Sequence, residues 1–276
     1  MSKPTGESSD PAQEIVVDVA DMVATIRLNR PHRRNALSSS VIATLPVAVS
    51  QAARRDDVRV MIITGTDPAF CAGLDLSELG STGDNLGLPA DPPYPWPWDS
   101  AGKPVIGAIN GPAVTGGFEL AVHCDILIAS ERARFADTHA RIGQVPGAGL
   151  TVNLPRLVGQ ARAKEMSFTG NFISAQTALE WGIVSHVVPH EELMNTARGL
   201  AADIVGNDPE AVVEVSRMYR AAEELPYAQA LELEAALARQ WQAAHHDPAV
   251  VAERRAGVLA RAHGQLGRLA TEGAQA

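Results

Sequence analysis

An α/β fold is predicted by three features of the amino-acid sequence. Near-continuous apolar runs of strand length occur at Val58–Thr64, Val105–Ile109 and Asp125–Ala129, and such runs suit parallel strands covered on both faces. Segments of helical length separate these runs, which is the alternation of an α/β domain. From about Gly159 onwards the chain reads helical, as a layer for packing or assembly.

Each element follows in order. Residues 1–13 are polar, carry Pro, Gly and Ser, and lack an apolar stretch, so they read as a disordered tail and not as a signal peptide. Ile15–Val19 alternates, breaks at Ala20–Asp21, and is followed by β-branched Met22–Leu28, the pattern of a hairpin. A polar loop punctuated by Pro31 comes next. Ser38 caps a helix running to about Arg55, with Pro46 expected to kink it. Residues 80–102 are crowded with Pro and Gly and hold Trp96 and Trp98, which predicts a long irregular surface loop. Ser174 starts a short helix ending near Gly182. Further helices are expected over Glu191–Val205, Pro209–Ala222 and Tyr227–Ala244, and Pro248 starts the last.

Composition narrows the function. The chain has 276 residues, a formal net charge of −9 and 46% hydrophobic residues. No basic stripe marks a nucleic-acid partner, and no apolar run is long enough to cross a membrane. Two cysteines, Cys71 and Cys124, do not make a disulfide framework, so the expected location is cytoplasmic. There is no GxSxG, HExxH, Walker loop, cysteine cluster or GxGxxG after a strand. Serine-hydrolase, metal-site and dinucleotide readings therefore lack support.

Three segments hold candidate chemistry. AFCAGLD (69–75) follows the first buried strand, and its small residues allow close approach to the backbone; a plain tight turn is the other reading. In GPAVTGGFELAVHCD (111–125), the pair Gly116–Gly117 opens a helix. A helix start presents unpaired N–H groups at the positive end of the dipole, where an oxyanion can be held. Glu119 then falls in the first turn, either as a working acid or as an ordinary helix-start carboxylate. Around residues 133–151, Asp137 and His139 stand two apart before a PGAG turn. Asp137 reads as a solvated loop acid or as a partner that orients His139.

Together these segments resemble the crotonase superfamily, also called the enoyl-CoA hydratase/isomerase family. The resemblance runs from about Ile15 to His263. It is carried by RLNRPHRRNALS (27–38), AFCAGLD (69–75), KPVIGAINGPAVTGGFELAVHCDILIAS (103–130), FADTHARIGQVPGAG (135–149) and GNFISAQTALEWGIVSHVVP (170–189). It implies an α/β, crotonase-like spiral of ββα units over 14–205 and a C-terminal helical trimerisation region over 206–265, followed by a tail over 266–276. It also implies an acyl-CoA thioester substrate, no separate cofactor or metal, a trimer or dimer of trimers, and a place in fatty-acid metabolism such as β-oxidation.

The resemblance assigns roles as well. The N–H groups of Leu74 and Gly116 would form the oxyanion hole. Arg34, Ala36, Ala72, Gly73, Asp75, Leu76 and Gly117 would line the CoA and substrate channel. Glu119 matches the first of two catalytic glutamates, and His139 stands where the second is expected. Thr115 occupies a position that is often glycine, and Phe118 is bulkier than usual. The expected activity is hydration of a 2-enoyl-CoA. The alternatives are another enolate reaction (double-bond isomerisation, decarboxylation, thioester hydrolysis) or a non-catalytic acyl-CoA-binding subunit.

Overall fold

Strands β1 (Ile15–Ala20) and β2 (Val23–Leu28) pair antiparallel through a two-residue turn. Asp21 and Met22 take φ of 52° and 62°, the left-handed pair that a tight right-twisted hairpin requires. The computed structural model describes residues 13–86, 102–223 and 225–273, so Trp96, Trp98 and most of the expected surface loop lie outside the described residues, as do residues 1–12.

Helix α1 (Ser39–Ala53) is capped as expected: Ser38 Oγ accepts from the Val41 N–H at 3.2 Å. It buries Val41, Leu45, Val49 and Ala52, one stripe at helical spacing. Pro46 does not end the helix. It lies on the exposed side, where solvent can serve the carbonyl that its missing N–H leaves without a donor. Strand β3 (Val60–Gly65) starts later than predicted, because Val58 N–H donates back to Arg55 O in a turn. All six residues of β3 are buried, which is why the run shows no alternation.

The chain continues through α2 (Leu76–Leu79), β4 (Val105–Ile109), β5 (Ala113–Val114), α3 (Gly116–Val122), β6 (Ile126–Ser130), β7 (Arg134–Ala136), α4 (Leu150–Val158) and α5 (Gln160–Thr169). Then come β8 (Ile173–Ser174), α6 (Ala175–Glu180), β9 (His186–Val188), α7 (Leu193–Val205), α8 (Pro209–Glu223), α9 (Tyr227–His245) and α10 (Pro248–Gly273). The short strands β5, β7, β8 and β9 are not predicted by the sequence, since two or three residues show no period. Helix α4 is also additional, beginning nine residues before the expected helical onset at Gly159.

One sheet has the order β1-β2-β3-β4-β6-β9 and is parallel from β2 onwards. A second has the order β5-β7-β8. Isolated parallel bridges, Leu37 to Leu74 and Cys71 to Ala113, run in the same layer sense as β5–β7. Each turn of chain thus lays one strand in the large sheet, a short extended piece beside the previous one, and a helix, which is the ββα spiral. The alternate faces of the large sheet bury separate cores. Val60, Ile62, Ile106, Ala108 and Ile128 pack with Leu193, Ala197 and Ala201 of α7. Ile26, Met61, Ile63 and Ile109 pack with the group holding α1, Phe70 and Phe118.

Two compact units are present, one ending at Ser216 and one beginning at Arg217, with the division inside α8. In the second unit, α9 buries Leu237, while Leu231, Val251, Val258 and Leu266 are exposed.

Candidate active site

The spiral places equivalent points of successive turns side by side. Cys71 N–H donates to Pro112 O at 3.1 Å, and Val114 N–H donates to Cys71 O at 3.0 Å. These bonds set 71–75 against 113–117. The packing leaves no room for side chains: a Cβ on Gly117 would collide with Cys71 O, and one on Gly73, at φ +89°, with Thr115 Oγ1. A Cβ on Gly116 would stand 3.8 Å from Gly73 Cα and 3.9 Å from Glu119 Oε2. Glycine at 73 and 117 is therefore a requirement of close approach, whereas a Cβ at 116 would press only on the Leu37 side-chain end, at 3.1 Å. Neither the Leu74 nor the Gly116 N–H enters a hydrogen bond among the described residues. The first turn of α3 explains Gly116, since N-terminal N–H groups have no partner within the helix. Burial pushes the Cys71 thiol up to about 12, so it is a small packed side chain rather than a nucleophile.

The residue before α3, Thr115, has φ 47° and ψ −117°, a region that favours glycine, with a cost on the order of 1–3 kcal/mol. Thr115→Gly is expected to stabilise the fold by about 1 kcal/mol, after the extra entropy of an unfolded glycine is counted. A denaturant midpoint that falls instead would show that the threonine's packing against Gly73 outweighs its strain.

Glu119 is buried in the first turn of α3. Its Oε1 accepts from the Ala148 N–H at 2.8 Å, and its Oε2 faces His139 Nε2 at 3.8 Å. Burial pushes the Glu119 carboxyl above its ordinary value of 4.5, and the Ala148 N–H and His139 only partly oppose this. Phe118, the neighbour of Glu119, is fully buried and packs on Phe135 of β7 with ring centroids 5.5 Å apart. Such a pair contributes about 0.5–1.5 kcal/mol beyond its buried area. It ties the helix carrying Glu119 to the strand that leads into Asp137 and His139.

Asp137 and His139 are both buried, so the solvated loop-acid reading of Asp137 is wrong. The loop after β7 turns inward at once, and His139 begins a 3₁₀ turn over His139–Ile142. Asp137 Oδ1 accepts from the His139 backbone N–H at 3.2 Å and lies 2.7 Å from ring Nδ1. Burial pushes Asp137 up, but its bonds to His139, aided by Ser167, outweigh it and hold the carboxyl below the usual range. A charged Asp137 puts the proton on Nδ1 and aims Nε2 at Glu119. Asp137, His139 and Glu119 thus form a buried line. Its Nε2–Oε2 gap is too long for a direct hydrogen bond, and both atoms can reach a group placed between them.

The expected channel residues lie on two interlaced segments. Leu37 N–H donates to Gly73 O at 2.7 Å, Asp75 N–H to Leu37 O at 2.9 Å, and Ala72 N–H to Arg34 O at 3.1 Å. Arg34 is exposed, Ala36 is buried, and Leu76 is 59% exposed. Asp75 departs from its expected role, because its carboxylate is turned into the fold. Oδ2 pairs with Arg30 at 3.1 Å and Oδ1 caps α2 at Ser77 N–H. Burial raises Asp75, and Arg30 with the Ser77 and Glu78 N–H groups more than reverses this.

Supporting residues with no role assigned from the sequence complete the frame. Arg30 also binds Glu14 and Ala36 O. Asn35 Nδ2 donates to Thr66 O and Ala69 O, at 2.7 and 2.6 Å. Asn85 Nδ2 donates to Leu37 O and Asp75 O. Arg30 and Asn35 lie in the segment 27–38, whereas no sequence signal separates Asn85 from an ordinary loop residue. Among the described residues, no group of three or more His, Cys, Asp or Glu is placed to hold a metal ion, and no helix is long and apolar enough to cross a membrane.

Known proteins share this arrangement of elements. The chain is 38% identical over 214 residues to a protein named probable enoyl-CoA hydratase 1, peroxisomal, of Arabidopsis thaliana, covering 77% of this chain and 80% of that one. It is 38% identical over 203 residues to the short-chain-enoyl-CoA hydratase of Clostridium acetobutylicum, covering 72% and 77%. The crystal structure of an enoyl-CoA hydratase from Mycobacterium smegmatis superposes with a TM-score of 0.70 at 49% identity, covering 85% of this chain and all of that one. Residues 18–256 match the enoyl-CoA hydratase/isomerase family as a whole. With the spiral, the paired glycine turns and the buried carboxylate in place, the chain belongs to the enoyl-CoA hydratase/isomerase family.

Proposed function

We propose that this protein adds water across the 2,3 double bond of 2-enoyl-CoA thioesters. The observation that carries the reading is the buried Glu119–His139 pair, with Glu119 Oε2 close to Gly116 and with the Leu74 and Gly116 N–H groups in no hydrogen bond among the described residues. The thioester oxygen accepts from these two N–H groups, which hold the negative charge that appears on it when water attacks. Loss of one such donor costs about 3 kcal/mol of barrier. Ionised Glu119 takes a proton from the water as its oxygen bonds to C3. Carbon C2 receives a proton from Nε2 of His139 in its doubly protonated form, whose Nδ1–H is held by Asp137, and the ring is left neutral. The next water to enter, bridging Oε2 and Nε2 across the 3.8 Å gap, passes the proton of Glu119 back to His139, so the net change is one water added. Coenzyme A is part of the substrate, and no separate cofactor takes part.

Glu119 must be ionised to act as base, so activity rises with pH through its titration. Because burial raises that carboxyl, the acid limb of kcat/KM is expected above 4.5. A limb at or below that value would separate Glu119 from the proton-accepting step. The reading itself is tested by hydration assays on short, medium and long 2-enoyl-CoA substrates. Binding without hydration of any of them would overturn it.

A second reading is favoured by the Asp137–His139 pair, which also suits activating water for attack on the thioester carbon. Release of free CoA thiol, in place of a 3-hydroxyacyl-CoA, identifies that reaction. The proposal extends to a homo-oligomer of three or six copies, supported by the exposed apolar residues of α9 and α10, and to a cytoplasmic role in fatty-acid β-oxidation.

A further inference from the structure

Helix α3 touches the loop before α4 at two points four residues apart. Glu119 and His123 occupy one helical face, as i and i+4 positions do, and both grip Ala148. Ala148 N–H donates to Glu119 Oε1 at 2.8 Å. Ala148 O lies 2.9 Å from His123 Nε2, and Asn153 Nδ2 approaches the same ring nitrogen at 3.1 Å. A carbonyl oxygen only accepts, so Nε2–H is the donor in the bond to Ala148. Gly149, at φ +91°, lets the loop come this close: a Cβ there would stand 2.7 Å from His123 Nε2. Residues 145–147 enter no backbone–backbone hydrogen bond among the described residues, and Val145 is 81% exposed.

We infer that His123 is a positioning residue for the acid–base carboxylate: by holding Ala148 O it fixes the Ala148 N–H that aims Glu119. The inference rests on the reading of Glu119 as the working carboxylate. His123 does not touch the reacting atoms; it acts through one amino acid of the loop. The imidazole sets where Ala148 stands, Ala148 sets which oxygen of Glu119 is occupied, and Oε2 is left facing His139. The Ala148 N–H also opposes the effect of burial on Glu119, so a loosened loop leaves that carboxyl harder to ionise.

The test compares His123→Leu with His123→Gln, whose amide nitrogen can reach the place of Nε2. In full-length protein, His123→Leu is expected to lower hydration kcat about tenfold with KM nearly unchanged. It should also move the protonation of Glu119 upward by roughly half to one pH unit. The second quantity is read directly by infrared titration of the carboxyl band that Glu119→Gln removes. His123→Gln should stay within about twofold of wild type and unshifted. A His123→Leu variant that titrates as wild type overturns the inference, as does a glutamine variant shifted as far as leucine. Should His123→Leu not fold, His123→Phe, which keeps a ring of similar shape and has no donor, is expected to shift the titration in the same direction, and no shift there is the overturning result. The infrared readout needs no turnover. A wild type that hydrates nothing while His123→Leu still shifts Glu119 would therefore sink the hydratase reading and leave the positioning role standing.

Discussion

Glu119→Gln is expected to lower hydration by ~100- to 10,000-fold while leaving thioester binding within a few-fold. Glutamine keeps the size of the side chain and an oxygen able to accept from Ala148 N–H at the 2.8 Å contact. What it loses is the capacity to take a proton. The oxyanion donors lie on the backbone at Leu74 and Gly116, so the substitution does not touch them. Measurement of kcat beside a dissociation constant for an enoyl-CoA separates the two effects. Retained turnover would remove Glu119 from the chemistry. Binding lost together with turnover would give it a packing role instead.

Asp137→Asn is the second large effect, with a fall of ~100-fold or more in kcat. Asp137 fixes the His139 ring through a 2.7 Å contact at Nδ1 and a 3.2 Å contact at the backbone N–H. An amide in its place is neutral and no longer stabilises the doubly protonated ring that gives its Nε2 proton to carbon. Residues acting as one unit are not additive, so the double variant Asp137→Asn/His139→Ala should be no slower than His139→Ala alone. Additive losses would separate Asp137 from His139 in function. Thermal melts belong in the same experiment, since a buried histidine left without its partner costs about 1–3 kcal/mol of stability.

Much of this frame was legible in the sequence. The apolar runs at Val105–Ile109 and around β3 and β6, the hairpin at Ile15–Leu28 and the cap at Ser38 are local signals, and each is found within two residues of its expected place. The motifs around Gly73 and Gly117 were legible for a similar reason. Close backbone approach admits only glycine, and that leaves a mark in the residue type itself. The short strands β5, β7, β8 and β9 left none, because their hydrogen bonds come from neighbouring turns of the spiral and not from a period in their own residues.

The sequence by itself determined the α/β class, the glycine turns that admit unpaired N–H groups, and the presence of a carboxylate and a histidine at family positions. Only the tertiary structure decided what those groups face. Asp137 became the buried partner of His139, Asp75 was turned away to Arg30, and His123 was brought to Ala148. The physical reason is range. Strand, cap and glycine preferences act between residues near in the chain, whereas burial and the pairing of Glu119 with His139 arise when segments from different turns of the spiral meet.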